Sequence, residues 1–304
     1  MMYYYRLFHL TFASEWAFPG MQTLENIPVT VDVVIRQGPI PEGLFPPFVE
    51  VGTERYFQAS GNEALLQVKA AGYYWVRAGR EIVVQPNPSA HRQEVVLYLL
   101  GSALGILLHQ RRFLVLHGNT IVLDNQQCVI FVGPSGVGKS TLAYAFHRLG
   151  YEVLADDVSA IYFDDEGEPW VAAGYPRIKL WKAMTDHYAL DAENLERVTP
   201  SMDKYQVPIA PSQESKARRL AHVYVLAVGQ EQEMSVNMIS GAEIFTALKE
   251  NTYRYEYLPV LQLQAAHFQD CCQLANRIKL FTLQRPAQGC PADKIAKRII
   301  HDHA

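Results

Sequence analysis

Residues 133–140 read Gly-Pro-Ser-Gly-Val-Gly-Lys-Ser, the spacing G-x-x-x-x-G-K-S, and nothing else in the chain limits its fold so sharply. Average residue frequencies give such an octet by chance in only about one in a hundred chains of this length. The flanks are those the motif needs. CVIFVG is an apolar run suited to a buried strand, and STLAYAFHRLG reads as a helix closed by Gly150. Glycines in such a loop let backbone N–H groups turn inward onto phosphates, and the following helix N-terminus adds partial positive charge. The candidate nucleotide-binding residues are therefore Gly133, Pro134, Ser135, Gly136, Val137, Gly138, Lys139, Ser140 and Thr141. Lys139 is expected to reach the β- and γ-phosphates and Ser140 to ligate Mg²⁺.

One helix further on, the short strand YEVLA ends in Asp156-Asp157. Neighbours on a strand point to opposite faces, so the two carboxylates are expected to divide their work. One would face the metal and γ-phosphate, the other an acceptor hydroxyl whose proton it takes. The bland alternative is an Asp-Asp pair that starts a turn. His117 closes the apolar strand FLVLH just upstream of the loop and is either structural or a partner that orients one aspartate. Arg177 and Lys179, two apart in GYPRIKLW, would share a face if extended and could neutralise charge developing on a transferred phosphoryl group. Lys204 is a weaker candidate of the same kind. The clusters Lys216, Arg218, Arg219 and Lys294, Lys297, Arg298 read as solvated faces.

At 304 residues the chain has room for two domains. The first hundred residues are β-rich, with runs at 29–35, 54–58, 64–68, 73–79 and 81–86, and the four-proline stretch 38–48 reads as a loop or edge. From His91 the pattern lengthens into a helix, HRQEVVLYLLGSALGILLHQ, which ends at Arg111 and Arg112. The boundary is placed there, giving a β-rich domain over 1–110 that recognises the acceptor and an α/β phosphate-loop domain over 111–304. The polar segment 164–215 carries no assigned element. Strands are expected over 221–228, 234–239 and KLFTLQ, and helices from Ala242, over 262–278 and over 291–302.

A net charge of -4 gives no general pull toward nucleic acid. The longest apolar run, 95–108, is interrupted by Gly101, Ser102 and Gly105 and falls short of the roughly 20 residues that span a bilayer. No membrane partner is expected. The N-terminus MMYYYRLFHLTF lacks the pattern of a secretory leader, and Cys128, Cys271, Cys272 and Cys290 form no disulfide or zinc spacing, so a reducing cytoplasm is expected. The vicinal Cys271-Cys272 pair reads as buried core thiols on a helix.

LHGNTI, GPSGVGKS, HRLGYEV and LADD, in this order and spacing, resemble the catalytic domain of the HPr kinase/phosphorylase family over 113–163. The resemblance implies an α/β phosphate-loop kinase core with ATP on the loop, Mg²⁺ near Ser140 and an aspartate, and Asp156 as base toward a serine hydroxyl. It leaves Asp157 for the metal, and His117 would belong to the same site. Self-assembly into a homo-oligomer is a further implication. The family's glycine-rich signature after the double aspartate is absent, replaced by AAGYPRIKLW, and the N-terminal hundred residues look unlike the usual regulatory domain. With LLHQRRFLVLHG and YPRIKLW, the chain looks more like the related kinases of peptide-biosynthesis clusters, including those that phosphorylate lasso-peptide precursors. The implied acceptor is thus a serine of a peptide or small protein. The alternatives are an HPr-type carrier-protein kinase/phosphorylase, and a nucleotide-hydrolysing switch. The absence of N-K-x-D leaves no guanine signature.

Overall fold

The computed structural model describes residues 1–41, 43, 48–51, 54–123, 127–209, 216–229, 233–287 and 291–303. The proline-rich loop expected over 38–48 lies partly outside the described residues, and Cys290 lies wholly outside them. The architecture is mixed α/β with three sheets.

The first sheet contains β1 (Tyr3–Leu7), β2 (Leu10–Ser14), β3 (Val33–Gln37), β4 (Val49–Glu50), β5 (Arg55–Ser60), β6 (Glu63–Val68), β7 (Gly72–Arg77) and β8 (Glu81–Pro86), in the spatial order β1-β2-β3-β8-β7-β6-β5-β4. The expected strands of the first hundred residues are present, with β1, β2 and the short β4 in addition. The β1–β2 hairpin escapes a sequence reading because its turn is Phe8-His9, both left-handed at φ 52° and 61°, where Gly or Asn would normally signal it. Phe8 is buried, and its N–H donates to the carbonyl of Ala173 at 2.8 Å, fastening the hairpin to the other half of the molecule.

A helical rod follows, made of α1 (Arg92–Tyr98), a π-helical turn (Leu99–Ala103) and α2 (Leu104–Gln110). Leu99, Ala103, Leu104, Ile106, Leu107 and Leu108 are fully buried, which explains its near-continuous apolarity. The glycines that weaken it as a helix serve packing. A Cβ on Gly105 would stand 2.9 Å from the ring of Tyr253, so only glycine admits that ring.

The second sheet is built on β9 (Leu114–Leu116), β10 (Gly118–Val122), β11 (Gln127–Val132), then, after α3 (Lys139–Arg148), β12 (Val153–Ala155), β13 (Ser159–Phe163) and β14 (Pro169–Ala172). A small third sheet holds β15 (Arg177–Trp181), β16 (Glu196–Arg197) and β17 (Lys204–Pro208), with α4 (Lys182–His187) between the first two. The chain returns to the second sheet through β18 (Arg218–Gly229) and β19 (Ser235–Ile239), and closes with α5 (Ala242–Glu250), α6 (Gln264–Ala275), β20 (Lys279–Pro286) and α7 (Ala292–His303). At its centre β11, β18 and β20 run parallel, and β10 lies antiparallel on β11. Sequence reading missed β10, β14 and the third sheet.

Helices cover both faces. Phe146 of α3 and Ile295 and Ile299 of α7 pack with Phe131 on one side, while Leu248 of α5 and Cys271 and Leu274 of α6 pack with Ile130 on the other. Full burial of an aromatic such as Phe131 contributes roughly 1.5–3 kcal/mol. The apolar cluster of the first sheet does not stop at residue 110. It continues through Val115, Val158, Ala160, Ala172, Tyr253 and Tyr257, so the β-rich part and the phosphate-loop part share an apolar interface.

Several expectations need correction. Arg218 is not a solvated face residue: its side chain is 12% exposed and paired with Glu152 at 3.4 Å, because it starts β18 beside the core. Cys271 is buried but Cys272 is exposed, since adjacent helical residues point in different directions.

Candidate active site

The loop between β11 and α3 takes the expected shape. Gly133, Gly136 and Gly138 have φ of 142°, 83° and 110°, a region where side chains are strained. At Gly133 a Cβ would also stand 2.7 Å from the carbonyl oxygen of Leu226 on β18. The Nζ of Lys139 donates to the carbonyls of Gly133 (2.7 Å) and Pro134 (3.2 Å), arching over the loop, while Val137 anchors the loop in the core. Burial lowers the Lys139 pKa, and Asp157 and Asp156 pull against that shift. Ser140 and Thr141 open the first turn of α3. An open cavity of ≈ 560 Å³ fronts the loop, lined by Gly133, Pro134, Ser135, His117, Asp157 and residues 250–254.

The two aspartates do not alternate as on a strand, because β12 ends at Ala155 and Asp157 is left-handed at φ 73°. Asp156 is buried and faces the loop. Its Oδ1 accepts from Ser140 Oγ at 3.2 Å and from Asn119 Nδ2, and its Oδ2 accepts from the Lys179 N–H at 3.0 Å. Asp157 turns to Lys179 Nζ at 2.8 Å and to His117 Nδ1 at 3.3 Å. The hydroxyl–carboxylate pair suited to a cation is thus Ser140 with Asp156, in place of the expected Ser140 with Asp157. The physical cause is the turn at Asp157, which aims its carboxylate at Lys179 and His117 and leaves Asp156 to meet Ser140.

Their electrostatics differ as sharply. Burial and the neighbouring Asp157 charge push Asp156 up to about 6, against Lys179. Burial works on Asp157 in the same sense, but Lys179 and His117 outweigh it and hold that carboxyl well below the usual range. Burial lowers the pKa of His117, whose Nδ1 also lies 3.0 Å from the Asp157 carbonyl, the geometry of a neutral ring donating there. His117 is therefore brought to the pair, on Asp157.

Arg177 and Lys179 share one face of β15, but they part company at their tips. Lys179 joins both aspartates, one through its ammonium and the other through its backbone. Arg177 is held by Glu196 at 2.8 Å and Gln206 at 3.2 Å and does not reach the loop cavity. It lines instead a second, narrower cavity of ≈ 100 Å³ whose walls include Phe8, Arg92 and Leu100 from the N-terminal part together with Asp156, Asp157 and Lys179. Lys204 lies over the Trp181 ring at 5.5 Å.

Sequence reading missed three residues that shape the site. Asn119, which fixes Asp156, could have been found as a polar residue inside the apolar run 114–123. Tyr253 and Arg254, which line the loop cavity, carry no sequence signal.

ATP and Mg²⁺ fit these residues. The loop offers inward-facing backbone and a lysine, and Ser140 with Asp156 offers a hydroxyl and a carboxylate within reach of one cation. Among the described residues no group of three or more His, Cys, Asp or Glu could hold a metal unaided. Mg²⁺ takes one or two carboxylates and completes its shell with water and substrate phosphates, and the Ser140 hydroxyl with the Asp156 carboxylate would supply the protein's share. No helix among the described residues is long and apolar enough to cross a membrane.

No known family profile and no curated protein matches the chain. Among solved structures it is similar to the Hpr(Ser) kinase/phosphatase from Coxiella burnetii, at 12% sequence identity and a TM-score of 0.33, over 62% of this chain and 89% of that one. A likeness of that size is too slight to assign either fold or chemistry, which rest on the residues above.

Proposed function

We propose that the chain is an ATP- and Mg²⁺-dependent phosphotransferase that moves the γ-phosphoryl group of ATP to a seryl hydroxyl of a short peptide. The observation that carries this reading is that Asp157 lines both cavities. A phosphate on the loop and a hydroxyl in the narrower cavity would meet at its carboxylate.

The bond from the γ-phosphorus to the bridging oxygen of ADP breaks as the bond to the hydroxyl oxygen forms, and the hydroxyl proton passes to Asp157 and then to water. Ser140 and Asp156 would hold Mg²⁺, which would supply neutralisation of the phosphate charge. Lys139 would bind the phosphates from the loop. Lys179 fixes the Asp157 carboxylate, and His117 fixes its turn. The low proton affinity of Asp157 suits a loose transition state, in which the base chiefly orients the hydroxyl. The raised pKa of Asp156 favours a second assignment, with Asp156 as base and Asp157 on the metal. Asparagine at each position separates the two.

A narrow acceptor cavity closed by the N-terminal part suits one small side chain on a flexible peptide better than a folded carrier protein. The resemblance of YPRIKLW and its surroundings to precursor-peptide kinases points the same way. The test is intact-mass analysis after incubation with ATP, Mg²⁺ and a panel of serine-containing peptides, with HPr as comparison. A gain of one phosphoryl group on peptide serine that is lost in Asp157→Asn is expected. Phosphorylation of HPr alone would move the reading to a carrier-protein kinase, and no transfer to any hydroxyl would remove it.

A further inference from the structure

The proposed transfer needs a cation facing the phosphoryl group besides Lys139 of the loop, and Arg177, the sequence candidate, is held in the other cavity by Glu196 and Gln206. We infer that Arg254 fills this role: its guanidinium binds the γ-phosphate of the nucleotide in the cavity it lines together with Gly133–Ser135. The inference rests on the nucleotide site proposed above.

Three features place it there. The segment before Arg254 is pinned to β9 by backbone bonds, with His117 N–H donating to the Asn251 carbonyl and Tyr253 N–H to the Val115 carbonyl, both at 2.8 Å. Tyr253 itself is fixed by its ring against Gly105 and by its carbonyl, which accepts from His109 Nε2 at 2.8 Å. The next residue must therefore leave the sheet at a set point, and it does so with φ 55°, a left-handed conformation a non-glycine residue adopts only at some cost.

The side chain is partly committed and partly free. It lies over the Tyr253 ring at 5.3 Å and near Glu256 at 3.8 Å, a distance too long for a firm ion pair, and its Nε is buried without a partner. Arg254 lines the loop cavity with its side chain 27% exposed, so the open end of its guanidinium can meet an anion there, and the unpaired Nε leaves its hydrogen bonding within the protein incomplete. Arg254 makes and breaks no covalent bond. It senses the third phosphate and stabilises charge on it during transfer.

Calorimetric titration of the full-length protein with ATP and with ADP, each with Mg²⁺, tests this without an acceptor. Arg254→Gln and Arg254→Lys are compared with the unaltered chain, with thermal melting as a control for folding. The expected result is that the ratio of ATP to ADP affinity falls roughly tenfold or more in Arg254→Gln and less in Arg254→Lys, while ADP affinity stays within a few-fold. An unchanged ratio in Arg254→Gln would overturn the inference and leave the nucleotide site standing. Failure of the unaltered chain to bind either nucleotide would overturn the site, and the inference with it. Should Arg254→Gln melt early, Arg254→Ala with and without added guanidinium chloride at millimolar concentration decides: recovery of ATP preference requires an anion contact, and no recovery overturns the inference.

Discussion

The two cavities that meet at Asp157 are made in opposite ways. The loop cavity has one wall from a contiguous octet whose glycines take conformations that side chains strain in, so the phosphate-binding part of its chemistry is written in consecutive residues. The narrower cavity draws on the β1–β2 turn, the helical rod, the β12–β13 turn and the third sheet, and its chemistry belongs to side chains brought from distant segments. The first is a local motif, the second a product of the whole fold. Substitutions on the two sides should therefore separate binding of the donor from handling of the acceptor.

The largest effect is expected at the junction. Asp157→Asn should lower phosphoryl transfer by roughly 10²–10⁴-fold while ATP affinity stays within a few-fold, read by steady-state kinetics beside calorimetry. If Asp156→Asn instead produces that pattern and Asp157→Asn changes the Mg²⁺ requirement, the roles of the two carboxylates are reversed. On the loop side alone, Lys139→Ala should weaken ATP binding by about 10²-fold through loss of charge-assisted hydrogen bonds, with the melting temperature nearly unchanged. Equal loss in a peptide-binding measurement would show that the cavities are not separable.

A comparable effect, on stability, sits in the buried pair. The folded pKa of Asp156, about 6, lies above its unfolded value of 3.8, so the native state binds the extra proton and this group's contribution to stability falls as pH rises through that window. His109, His222 and His267, held down to about 4 by burial, push the whole curve the other way, so the Asp156 contribution is read as the difference between the unaltered chain and Asp156→Asn in chemical denaturation across pH, expected to change by about 3 kcal/mol for metal-free protein. A difference that stays flat over the window would show that the Asp156 carboxylate is not destabilised in the fold. The smallest effect belongs to the second cavity. Gly20 has φ 71°, and a Cβ there would collide with the Arg177 guanidinium. Gly20→Ala should cost about 1 kcal/mol of stability and raise the KM for peptide, leaving the KM for ATP alone.

Legibility followed the same division. The octet, its strand and its helix are present as the residues imply, because the glycine conformations and the apolar flanks are local requirements. Asp156 and Asp157 both lie beside the loop, but which carboxylate meets Ser140 depends on the turn at Asp157; alternation along a strand left that open, and the resemblance pointed to Asp157. Arg177 looked like a phosphate ligand by type and spacing. Its fate is set by Glu196 and Gln206, which reach it only through the third sheet formed within 164–215. Tyr253 and Arg254 lie almost a hundred residues beyond the aspartates and reach the cavity by an edge contact with β9 that no pattern announces. The hairpin of β1 and β2 was hidden for a smaller reason, a turn of Phe and His in place of Gly or Asn.

The most direct measurement is a single-turnover experiment with ATP labelled in its γ-phosphoryl group, Mg²⁺ and a serine-containing peptide, which follows where the label goes in the unaltered chain and in Asp157→Asn. The account predicts label on the peptide serine in the first and label retained in ATP in the second. Label released as inorganic phosphate at the same rate in both, with none on peptide, would contradict it.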